Sequence, residues 1–124
     1  MDRGCILIVD DDRDCLKMTG MIFETKGFRV SYATNGAEAL VILKSRMIML
    51  MLTDYNMPGM NGLALSEEAL KTVPGLKIVM VTGDPLTPLY PKAEQLGLTA
   101  VLAKPVRIKD VLAVAWPEQQ PGDE

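Results

Sequence analysis

Six side chains in this sequence stand where apolar runs give out. Asp10, Asp11 and Asp12 follow Cys5–Val9, Asp54 follows Met47–Thr53, Thr82 closes Lys77–Thr82, and Lys104, ahead of Pro105, follows Ala100–Ala103. Carboxylates crowded together repel and rise in pKa unless a cation neutralises them. An all-oxygen set without His or Cys suits a hard ion such as magnesium. A lysine and a threonine hydroxyl beside that ion complete a pocket shaped for a phosphoryl group, two cations and a donor around its three oxygens. The chain has no histidine, which removes the commonest general base, most zinc chemistry and every Ser–His or Cys–His nucleophile pair. Its chemistry must come from carboxylates, hydroxyls, lysine and a metal.

The elements that must carry these residues alternate in period. Cys5–Val9, Arg29–Ala33, Met47–Thr53, Lys77–Thr82 and Ala100–Ala103 read as five strands. The unbroken apolar run of the third predicts burial on both faces, in the middle of a parallel sheet, with its methionines as core filling. Between Asp12 and about Lys26, Cys15, Leu16, Thr19, Ile22 and Phe23 form a helical stripe that Gly27 ends. Asp12 is expected to cap that helix, and Cys15 to be a small buried hydrophobe. A second helix follows Asn35-Gly36 with Ala37, Leu40 and Val41 as its apolar face. A third runs from about Leu63 to Thr72, and a last one presents Ile108, Val111, Leu112 and Ala115. Prolines at 85, 88 and 91 disturb the fourth. Since proline is tolerated only in a helix's first turn, an irregular loop is expected there, with helix confined to about Pro91–Leu96. The sum is an open, doubly wound α/β sheet, whose functional crevice lies at the C-terminal ends of the strands.

Composition narrows the classes. The chain has 124 residues, 48% of them hydrophobic and 23% charged, which fits one domain able to bury roughly two-thirds of its unfolded surface. A net charge of −3 offers no basic field for nucleic acid. The longest apolar run, Met47–Leu52, is far below the roughly 20 residues of a membrane span, and Cys5–Val9 halts at three aspartates, unlike a signal peptide. The two cysteines, Cys5 and Cys15, make no disulfide framework and no zinc spacing. A cytoplasmic setting is expected, with a domain over residues 1–116 and a flexible polar tail over 117–124.

The run Ile-Leu-Ile-Val-Asp10-Asp11-Asp12, the stretch Leu52-Thr53-Asp54-Tyr55-Asn56-Met57-Pro58-Gly59-Met60-Asn61-Gly62, Thr82-Gly83 and Lys104-Pro105 resemble the receiver domain of two-component response regulators. The order and spacing match over about residues 4 to 115. The resemblance implies a flavodoxin-like five-stranded parallel sheet of order 2-1-3-4-5. It implies Asp54 as phosphoacceptor from a phosphohistidine on a sensor histidine kinase or histidine phosphotransfer protein. Magnesium or manganese would be held by Asp10, Asp11, Asp54 and the backbone carbonyl of Asn56. Lys104 would pair with one phosphoryl oxygen and Thr82 would bond another. The Lys104–Pro105 bond is expected to be cis. Asn56 and Asp84 would flank the path of a hydrolytic water and, with Gly83 and Pro105, modulate the site. The phosphoryl group would switch binding of a downstream protein, making this a signalling module with at most self-phosphorylation and self-dephosphorylation.

The pattern departs from the family in two places. Val101 stands at the switch position, where many receivers carry Tyr or Phe, so the switch is either reduced or uses another residue. Gly83 replaces a more typical alanine ahead of the proline-rich segment. The chain fits either a stand-alone regulator or a receiver cut from a longer protein. The rival within the same fold is a degenerate receiver serving as a phosphorylation-independent docking or dimerisation module. An aspartate-nucleophile phosphatase of the haloacid dehalogenase kind is disfavoured, because its second acid would fall at Asn56.

Overall fold

In a computed structural model of the chain, residues 3–83 and 89–119 are described. Strand and helix alternate as β1 (Cys5–Val9), α1 (Arg13–Thr25), β2 (Arg29–Ala33), α2 (Gly36–Ser45), β3 (Leu50–Asp54), α3 (Gly62–Thr72), β4 (Lys77–Thr82), α4 (Tyr90–Leu96), β5 (Ala100–Ala103) and α5 (Ile108–Ala115). A 3-10 turn, Pro117–Gln119, follows. All neighbouring strands pair in parallel, in the order β2-β1-β3-β4-β5, so the flavodoxin-like topology is as expected.

Period-2 alternation splits the core between the two faces of the sheet. Ile6, Ile8, Leu50, Leu52 and Val79 meet Leu16 and Phe23 of α1 and Ile108, Val111 and Leu112 of α5. Leu7, Val9, Met51 and Ile78 meet Ala39 and Leu43 of α2 and Leu65 and Ala69 of α3. A smaller cluster under α4 joins Met80, Leu89 and Ala93, with Tyr55, Leu63, Leu98 and Val101 packed against it. Three helices begin on side-chain caps: Asp12 accepts from the amides of Asp14 and Cys15, Asn35 from Glu38 and Asn61 from Ala64.

Four strands have the bounds expected from sequence, and the third does not. It opens at Leu50, not Met47, and Met47 is 92% exposed while Met49 is 43% exposed. Only Met51 of the three methionines fills the core. An apolar run cannot mark its own entry into a sheet; pairing with β1 and β4 does that, beginning at Leu50. The expected face of α2 is also corrected, since Gly36, Ala39 and Leu43 are buried while Ala37 and Val41 are exposed. On α1, Ile22 is exposed and Gly20 takes its place in the buried stripe. The fourth helix is short, seven residues, with Pro91 in its first turn. Asp84, Pro85 and Pro88 lie outside the described residues. Among those described, no helix is long and apolar enough to cross a membrane.

Candidate functional site

The parallel sheet delivers the chemical residues to one rim. Asp10 follows the last residue of β1, Asp54 ends β3, Thr82 ends β4 and Lys104 follows β5. Turn geometry then fixes them locally. Asp10 Oδ1 accepts from the Asp12 amide at 3.0 Å, which folds the acidic turn over β1. The Lys104 amide donates to the Thr82 carbonyl at 2.9 Å, which ties the lysine to the end of β4. The Lys104–Pro105 bond is cis, as expected. One carboxylate oxygen from each of Asp10, Asp11 and Asp54 lies within 4.8 Å of the other two.

Asp54 is the most buried of the three, 7% exposed, while Lys104 reaches in from a 42% exposed position to place its Nζ 3.1 Å from Asp54 Oδ1. The ammonium arrives off the direction a hydrogen bond needs. Among the described residues, Asp54 Oδ1 is therefore a buried oxygen with an ion-pair partner and no hydrogen bond. Burial pushes the Asp54 carboxyl above the usual range; Lys104 opposes that, and the charges of Asp10 and Asp11 add to it. For Lys104, burial pulls the ammonium down, but its contact with Asp54 and the charges of Asp54, Asp10 and Cys15 together outweigh it, and the net direction is up. The site is thus short of positive charge. Three clustered carboxylates, one with an unsatisfied buried oxygen, fit a hard divalent cation held by oxygen.

Other sequence-selected residues surround this centre. Thr82 is fully buried, whereas Asn56, Gly83 and Pro105 are exposed on the rim. Asp12 serves as the α1 cap, as expected, and borders the same groove. Val101 is half-buried against the α4 cluster. Cys15 corrects the expectation of a buried hydrophobe. It is half-buried and borders the groove that contains Asp10, Asp54 and Lys104. Burial first, then a hydrogen bond and charge from Asp10, push its thiol up, against Thr19 and Lys104. Its place in the first turn of α1, three residues after the cap, is what brings it to the rim. The groove, about 810 Å³, continues from the carboxylates between α1 and α5 past Met18, Ile22 and Ile108.

Comparison with known proteins agrees with this geometry. The family model described as the response regulator receiver domain matches residues 6–115. The response regulator receiver protein CpdR of Brucella abortus (strain 2308) is 34% identical over 107 residues, covering 86% of this chain and 89% of that protein. The DNA-binding transcriptional regulator NtrC of Escherichia coli (strain K12) is 32% identical over 114 residues, 92% of this chain but 24% of that protein. The chain thus spans nearly all of one relative and about a quarter of the other. A CheY-like receiver domain protein from Methanospirillum hungatei JF-1 superposes with a TM-score of 0.85 at 35% identity, covering 93% of this chain and 92% of that one. Receivers generally bind magnesium at an acidic pocket, and some are joined to DNA-binding output domains. The chain belongs to the response regulator receiver family, the signalling domains of two-component systems.

Proposed function

We propose that the chain accepts a phosphoryl group on Asp54 and that the resulting aspartyl phosphate switches binding of a downstream protein. The observation that carries this reading is the Asp54 carboxylate, buried between two other carboxylates and the Lys104 ammonium. An Asp54 oxygen attacks phosphorus, the bond from phosphorus to the donor breaks, and the donor atom leaves with the electron pair. With no histidine in the chain, the phosphohistidine donor must be a partner, a sensor histidine kinase or histidine phosphotransfer protein. Asp10, Asp11, Asp54 and the backbone carbonyl of Asn56 would hold magnesium or manganese. When bound, that ion supplies the charge neutralisation a carboxylate needs to approach an anionic phosphoryl group. Lys104 takes one phosphoryl oxygen and Thr82 another, so that the site's own cation and hydroxyl fix the product's orientation.

The same reading makes the domain a signalling module with at most self-phosphorylation and self-dephosphorylation, in a cytoplasmic setting and without nucleic-acid contact of its own. Asn56 and Asp84, each two positions beyond a site residue, tune the lifetime of the aspartyl phosphate, with Gly83 and Pro105 shaping the rim. Val101 leaves the switch without its usual aromatic. In this reading the receiver unit runs over residues 1–116, which the burial of Trp116 against the core supports.

Intact mass after incubation with acetyl phosphate tests the reading. One added phosphoryl group is expected with Mg²⁺, none in EDTA, and none in Asp54→Ala. A folded wild type that takes up nothing would instead mark a docking module that works without phosphate.

A further inference from the structure

Two fully buried hydroxyls, Thr53 next to the phosphoacceptor in sequence and Ser66 in α3, have no part in the chemistry above. Thr53 precedes Asp54 in β3, among the apolar Leu50, Met51 and Leu52. Its Oγ1 donates to the carbonyl oxygen of Asp54 at 3.0 Å. The start of α3 presses on the same peptide. A Cβ on Gly62 would overlap the Asp54 carbonyl oxygen and stand 2.9 Å from Tyr55 Cα. Gly62 also donates its amide to the Tyr55 carbonyl at 2.9 Å, and Ser66 Oγ donates to the Gly62 carbonyl at 2.7 Å. The peptide that carries the phosphoacceptor is therefore held both by an in-strand hydroxyl and by a helix start that only glycine can bring so close.

We propose that Thr53 and Gly62 are positioning residues for Asp54: they fix the plane of its peptide and so the direction in which its carboxylate leaves the strand. The inference rests on the phosphoacceptor reading. Its physical reason is lever-like. The carboxylate hangs from the Cα next to that peptide, so a small rotation of the plane displaces the attacking oxygen, and a shift of about 1 Å can cost on the order of 10²-fold in rate. Valine would fill the volume of Thr53 as well without bringing a hydroxyl into an apolar interior, where it costs free energy unless bonded.

The test measures phosphoryl uptake from acetyl phosphate by intact mass, over a range of donor and of Mg²⁺ concentrations. Thr53→Val is expected to lower the maximal rate about tenfold while leaving the donor and Mg²⁺ dependences in place. Thr53→Ser, which returns the hydroxyl but not the methyl, is expected to recover the rate to within about twofold of wild type. Gly62→Ala is expected to slow uptake in the same way, and an unchanged rate would remove Gly62 from the assignment. A Thr53→Val rate equal to wild type, or a Thr53→Ser variant as slow as Thr53→Val, overturns the role of Thr53. If neither Thr53→Val nor Thr53→Ala folds, the hydroxyl is structural and the proposal falls. A wild type that takes up no phosphoryl group overturns the phosphoacceptor reading first, and this inference with it.

Discussion

Asp54 is held at a cost to the folded state. Burial is the main cause of its raised pKa, with Asp10 and Asp11 adding to it and Lys104 only partly offsetting it. The folded protein therefore binds a proton at Asp54 more tightly than the unfolded chain does. Below the ordinary carboxylate range both states are protonated and this site takes nothing from stability. As pH rises through the unfolded value and then through the raised folded value, stability is lost. In EDTA near neutral pH, Asp54→Asn should accordingly melt a few degrees above wild type, and the gap should close in acid. A wild type that melts level with Asp54→Asn near neutral pH would show that Lys104 fully compensates. Millimolar Mg²⁺ should reverse the order, raising the wild-type melting temperature by mass action and leaving Asp54→Asn nearly where it was. At this scale the sequence was legible, because strand ends in a parallel sheet converge by topology. What it did not disclose was Cys15. A helical stripe says which side of α1 faces inward, but not that the first turn of that side overhangs the rim, where the thiol meets Asp10.

The elements were legible where their punctuation is chemical. Asp12, Asn35 and Asn61 each precede a helical pattern, and each accepts backbone amides of the first turn as a cap should. The face of α2 was not legible. Ala37, Ala39, Leu40, Val41, Ile42 and Leu43 are apolar nearly all round, so periodicity has no preferred direction, and contact with α3 and β2 decides that Ala39 and Leu43 go inward. The Met47–Met49 error has the same root, since hydrophobicity records what can be buried and not what is paired. Asn61 yields the prediction of this scale. Its Oδ1 accepts from the Ala64 amide at 2.9 Å, at the start of the helix whose next residue, Gly62, presses on the Asp54 peptide. Asn61→Ala should lower the urea unfolding free energy by about 1 kcal/mol, and Asn61→Asp should keep most of it. Equal losses in the two variants would mean that the cap bond contributes nothing to α3.

Across the whole molecule, the rim that carries the chemistry and the pole that closes the fold are opposite ends of the sheet. At the N-terminal ends of the strands, Phe23 and Phe28 meet edge to face, with centroids 5.8 Å apart and planes at 85°. Phe28 stacks on Trp116, centroids 5.9 Å apart and planes 15° from parallel. The Arg3 guanidinium lies 4.5 Å from the Phe28 ring centre, and its Nη1 donates to the Lys26 carbonyl at 3.3 Å. This stack joins the start of β1, the turn from α1 to β2 and the residue after α5, which are far apart in sequence. Composition could not disclose it: the chain's one tryptophan stands just after α5, and only the packing shows that it is 8% exposed. Removing a ring from such a packed site costs about 3–5 kcal/mol, a large share of the roughly 5–15 kcal/mol that holds a domain together. Trp116→Ala should therefore lose about that much in urea unfolding followed by circular dichroism, while Trp116→Phe keeps most of it. The rim with the clustered carboxylates is built from the other ends of the strands. The fraction of Trp116→Ala that remains folded should thus take a phosphoryl group onto Asp54 at the wild-type rate once uptake is corrected for the folded population. A slower rate per folded molecule would mean that the aromatic stack reaches the rim through α5, and that the two ends of this sheet are energetically coupled.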